Sequence, residues 1–139
     1  MRRYNIDKNI FNSLYTVTNN GCVFRKKDGY HYSPCKDHKG YYRLRLPYPN
    51  AGSKDGRLPF KIHRLVAMFY LDKYSEALQV NHKNGIKTDN RAENLEMVTN
   101  RENVLHAWRV LDSTERKKKL VESIKRHYAK RTSINSLQL

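Results

Sequence analysis

The chain has 139 residues, with 28 Lys and Arg against 13 Asp and Glu, which gives a formal net charge of +15. This length suits one compact domain or a small domain with an appendage, and the charge favours a polyanionic partner, nucleic acid first. Two cysteines exclude a four-thiolate zinc site, and no apolar run is long enough for a signal peptide or a membrane span. We therefore expect a cytoplasmic protein without a membrane partner.

The excess charge lies in the two flanks of the chain. Residues 1–62 carry +9, residues 63–111 carry +1 and residues 112–139 carry +5. Basic flanks around a nearly neutral centre are expected when the flanks bind a phosphate backbone and the centre has another task.

The first part of the chain is predicted to form antiparallel strands. Residues 13–18 are rich in β-formers, Asn-Asn-Gly at 19–21 is a hairpin turn signal, and residues 22–25 form the return strand. Residues 41–46 alternate, and a loop is predicted over 47–57. A β-ribbon fits the major groove and arginine reads guanine edges, so we expect DNA contacts here, with a merely solvated face as the alternative. The predicted DNA-binding residues of this part are Arg25, Lys26, Lys27, Tyr41, Arg43 and Arg45.

The centre of the chain changes to a helical period after Phe60. An amphipathic helix is predicted over residues 61–71, in which His63 is structural or contacts phosphate. Short strands follow at residues 79–82 and 95–98, separated by a polar, turn-rich stretch. Thr99-Asn-Arg-Glu is a capping box, so a second helix begins there and carries Trp108 into the core.

Polar side chains concentrate in this strand–loop–strand–helix unit. A hairpin backed by a helix can bring them to one edge. An imidazole can take a proton from water near neutral pH, and amide oxygens with an imidazole can hold a divalent cation beside a phosphate. These are the parts of a site that hydrolyses a phosphodiester. The residues concerned are Asn81, His82, Asn94, Asn103 and His106.

The same residues carry a resemblance to a known family. Residues 80–99, VNHKNGIKTDNRAENLEMVT, followed by RENVLH at 101–106, resemble the motif of HNH endonucleases, in the version found in phage and intron-encoded homing endonucleases. IHRLVA at 62–67 is similar to the helix that precedes that motif, and YTVTNNGCVF at 15–24 resembles a β-rich DNA-contacting module. The resemblance extends over about residues 13–108.

The resemblance implies an α+β protein with a ββα-metal fold that hydrolyses duplex DNA with one divalent ion, Mg²⁺ in the first place and Mn²⁺ as the alternative. By position, His82 matches the general base and Asn94 the asparagine that pins the hairpin loop. Asn103 matches the metal ligand on the helix, and His106 is a further candidate ligand. Asn81 stands where many relatives have an aspartate ligand, so we expect weak metal binding without DNA.

We accordingly predict three parts: a β-rich DNA-binding module over 1–60, an HNH nuclease unit over 61–111, and a basic helix and tail over 112–139. Further DNA contacts are predicted at Arg64, Lys117 and Lys118. One catalytic centre predicts a nick in one strand by a monomer, in the host bacterial cytoplasm if the protein is phage-encoded. The interpretation depends on the imidazole of His82 and the carboxamide of Asn103 converging around one cation.

Two alternatives stay open. A DNA-binding protein that keeps the fold and has lost cleavage is favoured by the uncharged amide of Asn81. An RNA-binding or ribosome-associated basic protein explains the charge but not the ordered set of asparagines and histidines.

Overall fold

A computed structural model of the protein describes residues 6–110 and residue 122. The chain divides into two compact units, Met1–Asn103 and Val104–Leu139. The basic helix predicted over 112–139, with Lys117 and Lys118, lies outside the described residues apart from Glu122, which is helical. The elements are α1 (Lys8–Leu14), β1 (Tyr15–Val17), β2 (Val23–Arg25), β3 (Cys35–Lys36), β4 (Tyr42–Pro47), β5 (Arg57–Lys61), α2 (Ile62–Tyr70), β6 (Gln79–His82), a 3₁₀ turn (Ala92–Asn94), β7 (Leu95–Val98) and α3 (Asn100–Val110).

The strands form three small antiparallel sheets: the hairpin β1–β2, the three-stranded sheet β3–β4–β5 and the hairpin β6–β7. This confirms the predicted α+β class. Within the described ranges, none of the helices has the length and apolar content that crossing a bilayer requires.

Helix α2 lies at the centre of one hydrophobic core. Its buried side chains Ile62, Leu65 and Val66 are at most 2% exposed, and the helix packs against strands of all three sheets. The core also includes Phe11 from α1 and Leu95 from β7. The predicted module boundary at residue 60 therefore falls inside this core, at the junction of β5 and α2.

The turn of the first hairpin packs against the loop that joins β6 to β7. Gly21 has a φ of +90°, and a Cβ there would lie 2.9 Å from Cγ2 of Ile62 and 3.1 Å from Cβ of Asn90. The amide of Ala92 donates to the carbonyl of Asn19 over 2.7 Å. Glycine is needed because the approach leaves no room for a side chain, and the contact fixes the position of Asn90.

Two elements of the N-terminal part differ from the prediction. Residues 8–14 form a helix, although a strand was expected from residue 13, because Asp7 caps the helix through its Oδ1, 2.7 Å from the amide of Asn9, and Phe11 is fully buried. Residues 57–61 form β5, although residue 57 was expected in a loop and residue 61 in a helix. Pairing with β4 turns Leu58 and Phe60 into the core.

The elements of the centre agree closely with the prediction. Helix α2, strands β6 and β7 and the start of α3 at the capping box are confirmed to within about one residue, and the hairpin β1–β2 is confirmed with a first strand that begins two residues later than predicted. The prediction for Trp108 is wrong: its side chain was expected in the core, and it is 48% exposed.

Candidate active site

The hairpin β6–β7 sorts its side chains onto two faces. Successive residues of a strand point to opposite sides, and residues paired across the ladder share a side. Asn81 pairs with Glu96, and His82 pairs with Leu95. One face, which we call the core face, carries Val80, His82, Leu95 and Met97; the other, which we call the polar face, carries Gln79, Asn81, Glu96 and Val98.

Asn94 anchors the loop between the two strands. Its Nδ2 donates to Oδ1 of Asn84 over 3.0 Å and to the carbonyl of Asp89 over 2.8 Å, while its Oδ1 accepts from the amide of Asn84 over 3.1 Å. The residue is 7% exposed. A single carboxamide thus joins both ends of the loop, which is what the resemblance implies for this position.

His82 is held in one orientation by Asn90. Its Nε2 lies 3.1 Å from Oδ1 of Asn90, and Nδ2 of Asn90 donates to the carbonyl of Thr88 over 3.4 Å. Because an amide oxygen only accepts, Nε2 carries the proton and the lone pair of the neutral ring is on Nδ1. Burial lowers the pKa of His82, and the hydrogen bond from the ring to Asn90 partly opposes this. The ring is therefore neutral near pH 7 and can accept a proton at Nδ1.

His63 and Tyr41 pack beside this imidazole. The ring centroid of His63 is 5.3 Å from that of His82, and the centroid of Tyr41 is 4.9 Å from that of His63. Burial lowers the pKa of His63 to about 3, and its buried Nδ1 has no hydrogen-bond partner within the described structure. His63 therefore remains neutral and packs against His82 without adding charge.

Tyr41 lies before β4 and not within it. It is half-buried against the two histidines, with the Nζ atoms of Lys61 and Lys87 at 4.8 Å and 4.9 Å from its ring centroid. Tyr41 therefore does not share the exposed face of β4 with Arg43 and Arg45, as the prediction had it. The two arginines alternate with buried leucines along the strand. Tyr41 belongs beside His82.

Two carboxamides on or next to the polar face present their oxygens. Nδ2 of Asn81 donates to Oε1 of Glu96 over 2.8 Å, and Nδ2 of Asn103 donates to Oε1 of Gln79 over 2.5 Å. Both nitrogens are thus engaged, which leaves both Oδ1 atoms as acceptors. Amide oxygens suit a hard divalent cation, so the donor set fits the metal that the resemblance implies.

The metal would depend on these amides, since residues 6–110 and 122 contain no group of three His, Cys, Asp or Glu side chains suited to a metal ion. His106 lies one turn after Asn103 on α3, in the second compact unit, and is half-buried. Its role as a ligand stays a prediction.

Several known proteins are similar to this chain. A family model described as HNH endonuclease matches residues 60–105. The DNA endonuclease I-HmuI of Bacillus phage SP01 is 37% identical over 90 residues, which are 65% of this chain and 49% of that protein. The SPbeta prophage-derived HNH protein YosQ of Bacillus subtilis is 30% identical over 105 residues, 76% of this chain and 58% of that one.

A solved structure is also similar. It is titled as DNA binding and cleavage by the HNH homing endonuclease I-HmuI, and it matches with a TM-score of 0.62 and 33% identity over 81% of this chain and 62% of that chain. The chain is thus similar to HNH endonucleases in its sequence and in its fold. It spans about half to three fifths of the length of the relatives named here.

The two predicted centres of the site are on different sides of one strand. His82 contacts Asn90 on the core face, and Asn103 contacts Gln79 on the polar face. Among the residues described, no hydrogen bond joins His82, the last residue of β6, to Asn103, which bonds to Gln79, the first residue of that strand. Their convergence around one cation stays a prediction.

The predicted DNA-binding cations have different surroundings. Lys26, Lys27 and Arg43 are exposed. Arg25 pairs with Asp28 at 2.6 Å and Arg45 with Asp55 at 3.0 Å, both at the surface. Arg64 is half-buried, and its Nη1 donates to the carbonyl of Leu78 over 2.9 Å, so it stabilises the segment before β6.

Two residues of the site were missed from the sequence. Asn90 lies in the turn-rich stretch after β6, and nothing in its spacing from His82 marks it as the partner of that ring. Glu96 could have been found, since strands over 79–82 and 95–98 that pair end to end place residue 96 opposite Asn81.

Proposed function

We propose that this chain is a metal-dependent DNA endonuclease of the homing type that nicks one strand of duplex DNA, with His82 as its general base. The observation that carries the proposal is the hydrogen bond from Nε2 of His82 to Asn90, because it leaves Nδ1 to take the proton. The match of residues 60–105 to a family model described as HNH endonuclease, and the similarity to a protein whose structure is titled for DNA binding and cleavage, support it.

The two faces of the hairpin suit an in-line displacement. The sheet has two strands, so the outer edge of β6 has no strand partner among the residues described. In phosphoryl transfer the attacking and leaving oxygens lie on opposite sides of the phosphorus. A phosphodiester along this edge would have the imidazole of His82 on one side and the amide oxygens of Asn81 and Asn103 on the other.

His82 activates the attacking water. Nδ1 takes a proton from a water molecule while the oxygen of that water forms a bond to phosphorus. The bond from phosphorus to the 3′ oxygen breaks, and the 3′ oxygen is the leaving group. The lowered pKa of His82 keeps the ring neutral near pH 7, so that no proton needs to be lost first. A positioned base of this kind contributes about 10²–10⁴-fold in rate.

Asn81 and Asn103 would hold the divalent cation through their Oδ1 atoms, with Mg²⁺ in the first place and Mn²⁺ second. When bound, the cation supplies positive charge to the phosphate and to the leaving oxygen. Asn94 keeps the loop closed so that His82 and Asn81 remain in register. His106 is a further candidate ligand.

Duplex DNA binds the basic surface of the N-terminal part in this proposal. Lys26, Lys27 and Arg43 are exposed, and the surface ion pairs of Arg25 and Arg45 are weak enough for a phosphate to compete. The protein acts as a monomer, because one centre cuts one strand. Relatives from a Bacillus phage and a prophage support a site of action in the cytoplasm of a bacterial host.

A plasmid-nicking assay with Mg²⁺ tests the proposal. We expect H82A to lose about 10²–10⁴-fold in nicking rate. H38A is the matched control, because His38 is exposed and lies outside the site. The catalytic assignment is wrong if H82A nicks as fast as the parent protein.

The second candidate is a DNA-binding protein that has lost cleavage, which the uncharged side chain at Asn81 favours. It predicts retardation of duplex DNA in a gel shift and no nicking with Mg²⁺ or Mn²⁺. A duplex DNA and an RNA of equal length, compared at two salt concentrations, separate it from an RNA-binding protein.

A further inference from the structure

Glu96 faces Asn81 across the β6–β7 hairpin. The two residues form a directly paired position of the ladder, and Nδ2 of Asn81 donates to Oε1 of Glu96 over 2.8 Å. Asn81 is 7% exposed and Glu96 is half-buried. The carboxylate is therefore held against the amide by strand register and not by a mobile surface contact.

This hydrogen bond has two consequences for the polar face. It fixes the orientation of the Asn81 amide, because the nitrogen donates to Glu96 and Oδ1 is the atom left to accept. It also uses only Oε1 of the carboxylate, so Oε2 takes no part in it.

The other carboxylates between β6 and the first turn of α3 already have partners. Asp89 and Glu93 both pair with Arg91, at 2.9 Å and 2.6 Å. Glu102 accepts from the amide at the start of α3 as its capping residue. Glu96 forms no ion pair with any described residue, and a half-buried carboxylate without a cation is unfavourable.

We infer that Glu96 is the anionic group of the cation site, and that it supplies the charge that the amide of Asn81 lacks. The inference rests on the proposed function. The oxygen set is then Oδ1 of Asn81, Oδ1 of Asn103 and the carboxylate of Glu96, which is a set of the kind that Mg²⁺ and Mn²⁺ prefer. It carries the same net charge as an aspartate at position 81 opposite a neutral residue.

Binding of Mn²⁺ to the protein without DNA, followed by the electron paramagnetic resonance of the free ion, tests the inference without an activity readout. E96Q removes the charge but can still accept from Asn81, so it separates charge from orientation. We expect its affinity for Mn²⁺ to fall by about 10–100-fold. E93Q is the matched control and keeps the affinity of the parent, since Glu93 is exposed and pairs with Arg91.

The exchange variant N81D/E96Q places the carboxylate on β6 and the amide on β7. The amide on β7 can donate to the carboxylate on β6, so both the hydrogen bond and the charge are restored. We expect the affinity for Mn²⁺ to be close to that of the parent. This variant also decides the question if E96Q does not fold. Failure of the folded exchange variant to bind Mn²⁺ overturns the inference.

N103A distinguishes this inference from the proposed function. If N103A weakens Mn²⁺ binding but E96Q binds as the parent does, the assignment of Glu96 is wrong and the proposed cation site stands. If the parent has no saturable Mn²⁺ binding without DNA, the assignment of Glu96 is wrong, whereas nicking with Mg²⁺ that is lost in H82A still supports the proposed function.

Discussion

The substitution N90D tests whether His82 is the base of the reaction. Oδ1 of Asn90 lies 3.1 Å from Nε2 of His82, so a carboxylate at this position would face the imidazole directly. At an effective dielectric constant of about 20, two unit charges at that separation attract by about 5 kcal/mol. Because the charges of both groups are delocalised, the expected rise in the pKa of His82 is smaller, about 1–3 pH units.

A raised pKa changes the dependence of nicking on pH in a defined direction. The base is active when it is neutral, so the pH at which nicking begins should move upward by the same amount as the pKa of His82. The rate should be lower than that of the parent near pH 6 and approach or exceed it at alkaline pH. The assay is the nicking rate from about pH 5 to 9, with the pKa of His82 followed independently by NMR.

N12D is the control for the pH profile, because it makes the same change of charge on the exposed side of α1. A profile of N90D that coincides with that of the parent, while NMR reports a raised pKa, would mean that His82 is not the base. An unchanged pKa would refute the geometry of the His82–Asn90 pair.

Further predictions concern stability and DNA binding. N94A should lower the free energy of unfolding by about 2–3 kcal/mol in urea titrations, because it leaves buried polar groups of the loop without partners. F11A should cost about 3–5 kcal/mol, whereas I10A on the exposed side of α1 should cost at most about 0.5 kcal/mol; equal losses would contradict the packing of this helix. The pKa of His63 is about 3 in the folded protein against 6.5 ordinarily, so the unfolded chain binds the proton more tightly. Stability should therefore be full above pH 6.5 and fall by up to about 1.4 kcal/mol per pH unit towards pH 3, and H63F should remove that part of the slope. K26A should weaken DNA binding equally for different sequences and reduce the salt dependence by about one counterion, and a sequence-dependent loss would count against a phosphate contact.

The elements predicted well are those with strong local signals. The helical spacing of Ile62, Leu65 and Val66 predicts α2, and the capping box predicts the start of α3. These patterns depend on neighbours within one or two turns, so they can be recognised without the rest of the fold.

The elements that were missed depend on distant partners. Helix α1 has seven residues, too few to be stable alone, and Phe11 stabilises it by packing on Phe60 and Phe69 at centroid distances of 5.2 Å and 5.8 Å. Strand β5 runs into α2 without a loop, and only its pairing with β4 makes it a strand. Neither contact is visible in the local pattern of residues.

The sequence by itself determined the basic flanks, the order of the asparagines and histidines, and with them the resemblance to HNH endonucleases. The tertiary structure decided which atom of each side chain is available. Nδ1 of His82 is the basic nitrogen because Asn90 accepts from Nε2, and Oδ1 of Asn81 is presented because Glu96 accepts from Nδ2. Such choices follow from strand register and from the turn that presses on Asn90. Spacing along the chain identifies the side chain that reaches the site, whereas its hydrogen-bond partners determine what that side chain can do there.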